Sequence, residues 1–182
     1  MKSKMSLADI VDVVVDNRGK SVPLSDLSNQ YLPLIATKNV GASLYPELID
    51  TRPVDKETYD SFFRAHPLPG DILFVNKGKP GTTARVPNPV DFVMAQDMVA
   101  LRAKPGFDQD YVFALLRSPR TLRMIDNMQV GTMIPHFKKT DFDKLILDVE
   151  TDLEVQKKIG RLYMTFSNAV EQKSRINDNL VA

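Results

Sequence analysis

The chain has no cysteine, no tryptophan, only two histidines (His66 and His136), and no apolar run long enough to cross a membrane. Each absence removes a class of protein. Without thiols there is neither a disulfide framework nor a thiolate metal site, and two histidines distant in sequence do not suggest zinc. The longest apolar stretch, Ile10 to Val15, is broken by Asp12, and Met1-Lys2-Ser3-Lys4 leads into no signal-peptide core. The expectation is a soluble cytoplasmic protein with no membrane partner and no cofactor. The remainder, 43% hydrophobic and 26% charged over 182 residues with 8 Gly and 12 Pro, is the composition of one globular core.

The net charge of +1 conceals opposite local excesses. Between Glu47 and Asp60 acids outnumber bases by three, and between Gly70 and Lys139 bases outnumber acids by four. A mildly basic segment of this kind permits a polyanionic partner, although a solvated surface accounts for it equally well.

No internal repeat or low-complexity segment is present. Short apolar or alternating stretches bounded by Gly, Pro, Asn or Asp predict strands at Val13 to Val15, Tyr31 to Thr37, Asp71 to Val75, Phe92 to Ala95, Met98 to Arg102 and Leu145 to Val149. Pro69-Gly70-Asp71, Lys79-Pro80-Gly81, Pro87-Asn88-Pro89 and Pro105-Gly106 mark turns. Helices are expected over Asp55 to Arg64, over Tyr111 to Arg117, and after Ser118-Pro119, an N-cap followed by proline at the first helical position. The expected fold is an α+β domain with a mixed sheet.

The last thirty residues differ in kind. Thr151-Asp152-Leu153-Glu154 reads as a capping box, and Val155, Ile159, Leu162, Phe166, Ala169, Lys173, Ile176 and Leu180 then recur at alternating spacings of four and three. That 3.5-residue period is the seam of a coiled coil, which Lys173 alone interrupts. The expected division is a globular domain over residues 1–150 and a long helix over 151–182. Two copies would bury the stripe in a twofold dimer, unless the helix folds back on its own domain.

Enzyme signatures are incomplete. In Asn76-Lys77-Gly78-Lys79-Pro80-Gly81-Thr82-Thr83 a threonine, not a lysine, follows the second glycine of a would-be phosphate loop. Asn88-Pro89-Val90-Asp91 resembles only the opening of the Asn-Pro-Pro-aromatic signature of amino-methyltransferases and lacks the aromatic face that stacks a flipped base. The acids from Glu47 to Asp60 are too loosely spaced for a metal-ligand set.

Several words then fall in an informative order: Pro69-Gly70-Asp71-Ile72-Leu73-Phe74, Lys77-Gly78 with Gly81, Met94-Ala95-Gln96, Phe107 to Leu116, Gly131-Thr132-Met133-Ile134-Pro135, Leu145-Ile146-Leu147, and Glu154-Val155-Gln156-Lys157-Lys158-Ile159-Gly160. With Leu7-Ala8-Asp9-Ile10, Arg18-Gly19-Lys20 and Tyr31-Leu32-Pro33-Leu34-Ile35 near the start, nearly the whole chain resembles one half of a type I restriction-modification specificity subunit. The resemblance implies a target-recognition domain followed by a long coiled-coil helix. It also implies a module that reads duplex DNA without catalysing a reaction and recruits an adenine-methylating modification subunit and, through the complex, a restriction subunit. Such a subunit usually has two domains and two antiparallel helices; here there is one of each, so the expected pairing is a homodimer or a union with a second half.

DNA readers need cations for phosphates and amide, hydroxyl or imidazole groups for base edges. The candidate phosphate contacts are Lys77, Lys79, Arg85, Lys138 and Lys139. The candidate base readers are Asn76, Thr82, Thr83, Gln129 and His136, with Arg18, Lys20, Lys38 and Asn39 as a second loop set. An ordinary exposed loop side chain is the competing explanation for each. Two other classes remain: a coiled-coil adaptor, which would show no salt-sensitive affinity for duplex, and a DNA-processing nuclease or deaminase, which metal-dependent turnover would reveal.

Overall fold

The computed structural model describes residues 1–17, 19, 21–129 and 134–181, with the side chains of residues 175 and 178–181 left aside. Its framework is a four-stranded antiparallel sheet of β2 (Val11–Val15), β8 (Met98–Ala103), β5 (Ile72–Val75) and β6 (Thr83–Arg85), in that order. Successive side chains of a strand point to opposite faces, and both faces here are covered. Ile72 and Phe74, paired with Leu101 and Val99, face a core completed by Leu7, Phe113, Phe137 and Phe142. Leu73 and Val75, paired with Ala100 and Met98, face a second core with Ile35, Phe92 and Met94. Burial on both faces is why Ile72-Leu73-Phe74-Val75 is continuously apolar.

A second sheet has β3 (Leu32–Ile35) between β4 (Arg52–Val54), antiparallel, and β7 (Val93–Met94), parallel. This second sheet alone is mixed, and with the helices the domain is α+β, as expected. The third pairing has no local signal: β1 (Lys2–Ser6) lies antiparallel to β9 (Ile146–Glu150), with Lys2 opposite Glu150.

Short polar residues set the helix starts. Ser6 and Asp9 form a reciprocal capping box at α1 (Leu7–Ile10), and the Ser6 hydroxyl holds the Asp9 carboxyl below its usual range. Asp55 caps α2 (Lys56–Ser61), Asp108 caps α3 (Gln109–Leu116), and Ser118, followed by Pro119, caps α4 (Pro119–Asn127).

The last helix, α5 (Leu153–Val181), is 29 residues long, about 44 Å at about 1.5 Å per residue. Its expected cap is corrected: Asp152 Oδ1, not the Thr151 hydroxyl, accepts from Glu154 N (2.8 Å) and Val155 N (3.3 Å). Thr151 is occupied by the β1–β9 edge, its amide and hydroxyl both donating to Met1 O. The base of α5 is docked on α3. Fully buried Gln156 accepts from Asp108 N (2.8 Å) and donates to Glu150 O (2.7 Å), Gly160 passes against residues 108–111, and Tyr163 meets Phe113 edge-on. The coiled-coil stripe lies about a third of a turn away, with Ile159 41%, Leu162 58%, Phe166 64% and Ile176 57% exposed. Val155 is half-buried, Ala169 and Lys173 are exposed, and the Leu180 side chain lies outside the described set. Within this chain the helix docks by one face and leaves the seam uncovered.

His66 stacks on Tyr59 (centroids 3.9 Å) and bonds the Tyr59 carbonyl through Nε2 (3.1 Å). Burial lowers its pKa, an effect partly offset by that carbonyl bond. The unfolded chain then takes up its proton at higher pH than the folded chain does. This contribution is fully present above about pH 6.5 and is lost as pH falls through the folded value. Acidification from pH 7.5 to 5.5 should lower the thermal midpoint more in the parent than in His66→Phe, measured side by side by calorimetry.

Candidate nucleic-acid interface

Two loops from distant parts of the sequence are joined edge to edge. One links β5 to β6 and carries Lys77 and Lys79; the other, residues 134–139, carries His136, Lys138 and Lys139. Phe137 N donates to Asn76 O (2.8 Å), Gly78 N to Pro135 O (3.0 Å), and Lys77 pairs with His136 in an antiparallel bridge. Phe137 anchors the second loop, its ring buried against Phe74 and Phe142. Gly81 permits the first loop to lie flat on α4: its φ is +85°, and a Cβ there would stand 2.8 Å from Ile125 Cδ1.

The four lysines of these loops are exposed, and among the described residues none has a carboxylate within ion-pairing distance. Other cations of the same basic segment are neutralised: Arg85 by Asp110 (2.9 Å), Arg102 by Asp71 (2.8 Å), Lys104 by Asp12 (3.9 Å) and Arg120 by Asp148. Apart from Arg117, which donates to the carbonyls of Ala42 and Ser43, and exposed Arg123 on α4, the local positive excess is thereby concentrated on the joined loops. Beside them, Lys138, Lys139, His136 and Lys104 line a groove of about 850 Å3 against Val11 and Asp12. Across the bridge, a smaller cavity of about 240 Å3 is bounded by Gly19, Asn76, Lys77, Gln96, Asp97 and His136.

Several sequence candidates are corrected, because their polar groups are enclosed or serve the fold. Asn39, 4% exposed, accepts from Ala36 N and donates to the carbonyls of Glu47 and Ile49, closing the 36–49 loop. Asn76 is 1% exposed and its amide donates to Phe137 O, so it ties the loops together instead of projecting from them. Thr83 is buried in β6. Arg85 is nearly enclosed, its guanidinium over the Phe113 ring beside Asp110, and burial lowers its pKa against the attraction of that carboxylate. Arg85 is a structural cation and not a phosphate contact. The Thr82 hydroxyl donates to Lys79 O (2.9 Å), shaping the turn. Gln129 accepts from His136 N (2.7 Å), which makes it a support for His136. Lys38 is exposed, 3.9 Å from Asp50 and apart from the joined loops. Arg18 and Lys20 lie outside the described residues, as do Gly131, Thr132 and Met133.

Sequence reasoning missed Lys104, Gln96 and Asp97. Gln96 and Asp97 form the turn between β7 and β8, and Asp97 O accepts from both Asn76 N (2.9 Å) and Lys77 N (3.3 Å). Nothing local marks that turn as lying under the lysine loop. Among the described residues no group of three or more His, Cys, Asp or Glu could hold a metal ion, and no helix is long and apolar enough to cross a membrane.

No family model and no curated protein sequence matches the chain. Solved structures do. The chain is similar to the specificity subunit of a type I restriction-modification system from M. genitalium (TM-score 0.66, 14% identity, 99% of this chain and 43% of that one). It is also similar to the HsdS subunit of Thermoanaerobacter tengcongensis (TM-score 0.59, 16% identity, 100% and 40%). A third likeness is to a chain from a study of type I system assembly and conformational transition (TM-score 0.63, 15% identity, 98% and 42%). The chain spans about two fifths of the length of these structures and carries their fold over that span, an α+β domain with a long C-terminal helix.

Proposed function

We propose that this chain belongs with the type I specificity subunits and reads a duplex DNA sequence without catalysing a reaction, residues 1–150 forming the recognition domain and 151–182 a spacer and pairing helix. The observation that carries this reading is the concentration of Lys77, Lys79, Lys138 and Lys139, none of them ion-paired among the described residues, on two joined loops of a chain with that fold. Ammonium groups on Gly- and Pro-shaped turns can approach phosphates, which fix register, while neighbouring polar groups meet base edges. His136, braced by Gln129, stands at the junction of the loops as a base reader. In a cell the module would bring a methylating modification subunit, and through it a restriction subunit, to the bound site.

Fluorescence titration with a selected duplex and a scrambled one, at several salt concentrations, tests the proposal. Four phosphate contacts would weaken binding on the order of a hundredfold between 50 and 200 mM salt. Lys77→Ala with Lys79→Ala should weaken both duplexes alike and lower the salt slope by about two, whereas His136→Ala should change the preference between them. Equal, salt-insensitive affinity for both duplexes would sink the DNA reading and favour a protein-binding adaptor.

A further inference from the structure

A third loop reaches the lysine ridge from its other side. Asn17, buried two residues beyond the end of β2, donates from its amide to Ala65 O (3.3 Å) and accepts from Arg64 N (3.1 Å). One side chain thus clamps the backbone at Arg64 and at its neighbour, in the segment that links α2 to β5. Arg64 itself is exposed, and its guanidinium lies against Gly19, where a Cβ would stand 3.6 Å from Nη2. Gly19 in turn borders the cavity that Lys77 and His136 also line. Among the described residues no carboxylate lies within ion-pairing distance of Arg64, in contrast to Arg85, Arg102 and Arg120. An unpaired guanidinium whose backbone is already fixed loses less freedom when an anion arrives.

The ridge made by Lys77 and His136 therefore has cations on both flanks. The groove with Lys138 and Lys139 lies on one flank and the Gly19 cavity on the other, and the two share only His136. A duplex that takes a ridge into one of its grooves presents a phosphate backbone on each bank. We infer that Arg64 is a further phosphate contact of the DNA face, on the bank opposite Lys138 and Lys139, and that Asn17 is the residue that positions it. Arginine suits the task, because its planar fork spans two phosphate oxygens and stays charged at physiological pH. This inference rests on the DNA-reading proposal and adds a third loop and a second bank to it.

Salt titration of a duplex enriched from a random pool by the parent tests the inference. Arg64→Ala should weaken enriched and mixed-sequence duplexes alike and lower the salt slope by about one, whereas Arg64→Lys, which keeps the charge, should retain the slope. Lys56→Ala, which removes a cation already paired with Asp60, should leave it unchanged. Asn17→Ala should lower the slope as Arg64→Ala does and add no further loss in the double variant, a pattern that lowered stability alone does not produce. If Asn17→Ala does not fold, the Arg64 variants, at an exposed position, decide the inference. Methylphosphonates, which remove the charge of one phosphate at a time, locate the contact. The substitutions that weaken the parent but not Arg64→Ala should lie across the groove from those that weaken the parent but not Lys138→Ala with Lys139→Ala. The inference is overturned if Arg64→Ala keeps the parent's slope while Lys77→Ala with Lys79→Ala lowers it, or if both sets of phosphates coincide. A folded Asn17→Ala protein with the parent's slope removes the positioning role. A parent that enriches no sequence and binds without salt dependence overturns the DNA reading, and this inference with it.

Discussion

Replacing Gly160 with leucine is expected to loosen the long helix from the domain and lower the thermal midpoint by several degrees. On sequence grounds Gly160 is the weak point of α5, and alanine there would gain about 1 kcal/mol of helix propensity. The packing reverses that sign. A Cβ at this position would stand 2.6 Å from Tyr111 N, 2.6 Å from Asp108 Oδ1 and 2.9 Å from the Asp110 carbonyl carbon. Asp108 can swing aside only by giving up its cap bond from Tyr111 N (2.9 Å), and Tyr111 N is itself backbone in the first turn of α3. Overpacking of this kind costs about 1–3 kcal/mol, and each kcal/mol lowers the midpoint by about 2–4 °C in a chain of this size. Gly160→Ala should already destabilise, and Gly160→Leu more, while Gly41→Ala, where a Cβ meets nothing within 4 Å, should be tolerated. Thermal unfolding of the three variants checks the order. A Gly160→Ala protein more stable than the parent would mean that α5 does not dock on α3 as described.

That glycine shows where local reading stops. Every strand expected from apolar pattern was present within a few residues, because Ile72–Val75 and Met98–Ala103 carry their burial in their composition. The strands without such a pattern were missed. Lys2–Ser6 is a polar alternation whose partner lies at the far end of the domain, and Arg52–Val54 contains a proline that reads as a breaker. The candidate interface divides along the same line. Lys77, Lys79, Lys138 and Lys139 were legible because exposed lysines beside Gly and Pro need no partner to be recognised. Asn39, Asn76, Thr83 and Arg85 are polar by type and internal by placement, each satisfied or enclosed by chain brought from elsewhere. Gln96 and Asp97 show the converse case, a turn whose significance comes only from the loop laid over it.

Replacing Ile159 and Phe166 with aspartate is expected to abolish pairing through α5, whichever copy or second half supplies the other helix, and to leave the domain folded. Both side chains lie on the uncovered stripe of α5, together with Leu162 and Ile176, and Val170, 68% exposed, widens that stripe. Contiguous apolar surface of this extent on a helix about 44 Å long is characteristic of an interaction face, and its 3.5-residue period fits a second helix. The closed arrangement is a twofold pair, in which each chain's stripe meets the same stripe of its copy. Run antiparallel, the helices would carry the two domains to opposite ends of the coil, and the site read would be an inverted repeat whose spacing follows from helix length. Lys173 would then approach the start of the other helix, near Glu154, instead of a second lysine. In such a symmetric pair two substitutions would introduce four carboxylates into the seam, each buried without a partner, and a loss of several kcal/mol would raise the dissociation constant by more than a thousandfold. Neither residue belongs to the domain cores, so circular dichroism and thermal unfolding of the domain should stay unchanged. Sedimentation velocity over a range of concentrations separates the outcomes. A parent already monomeric at high micromolar concentration rejects self-pairing and assigns the stripe to a different second half, and a double variant that still dimerises places the contact outside α5.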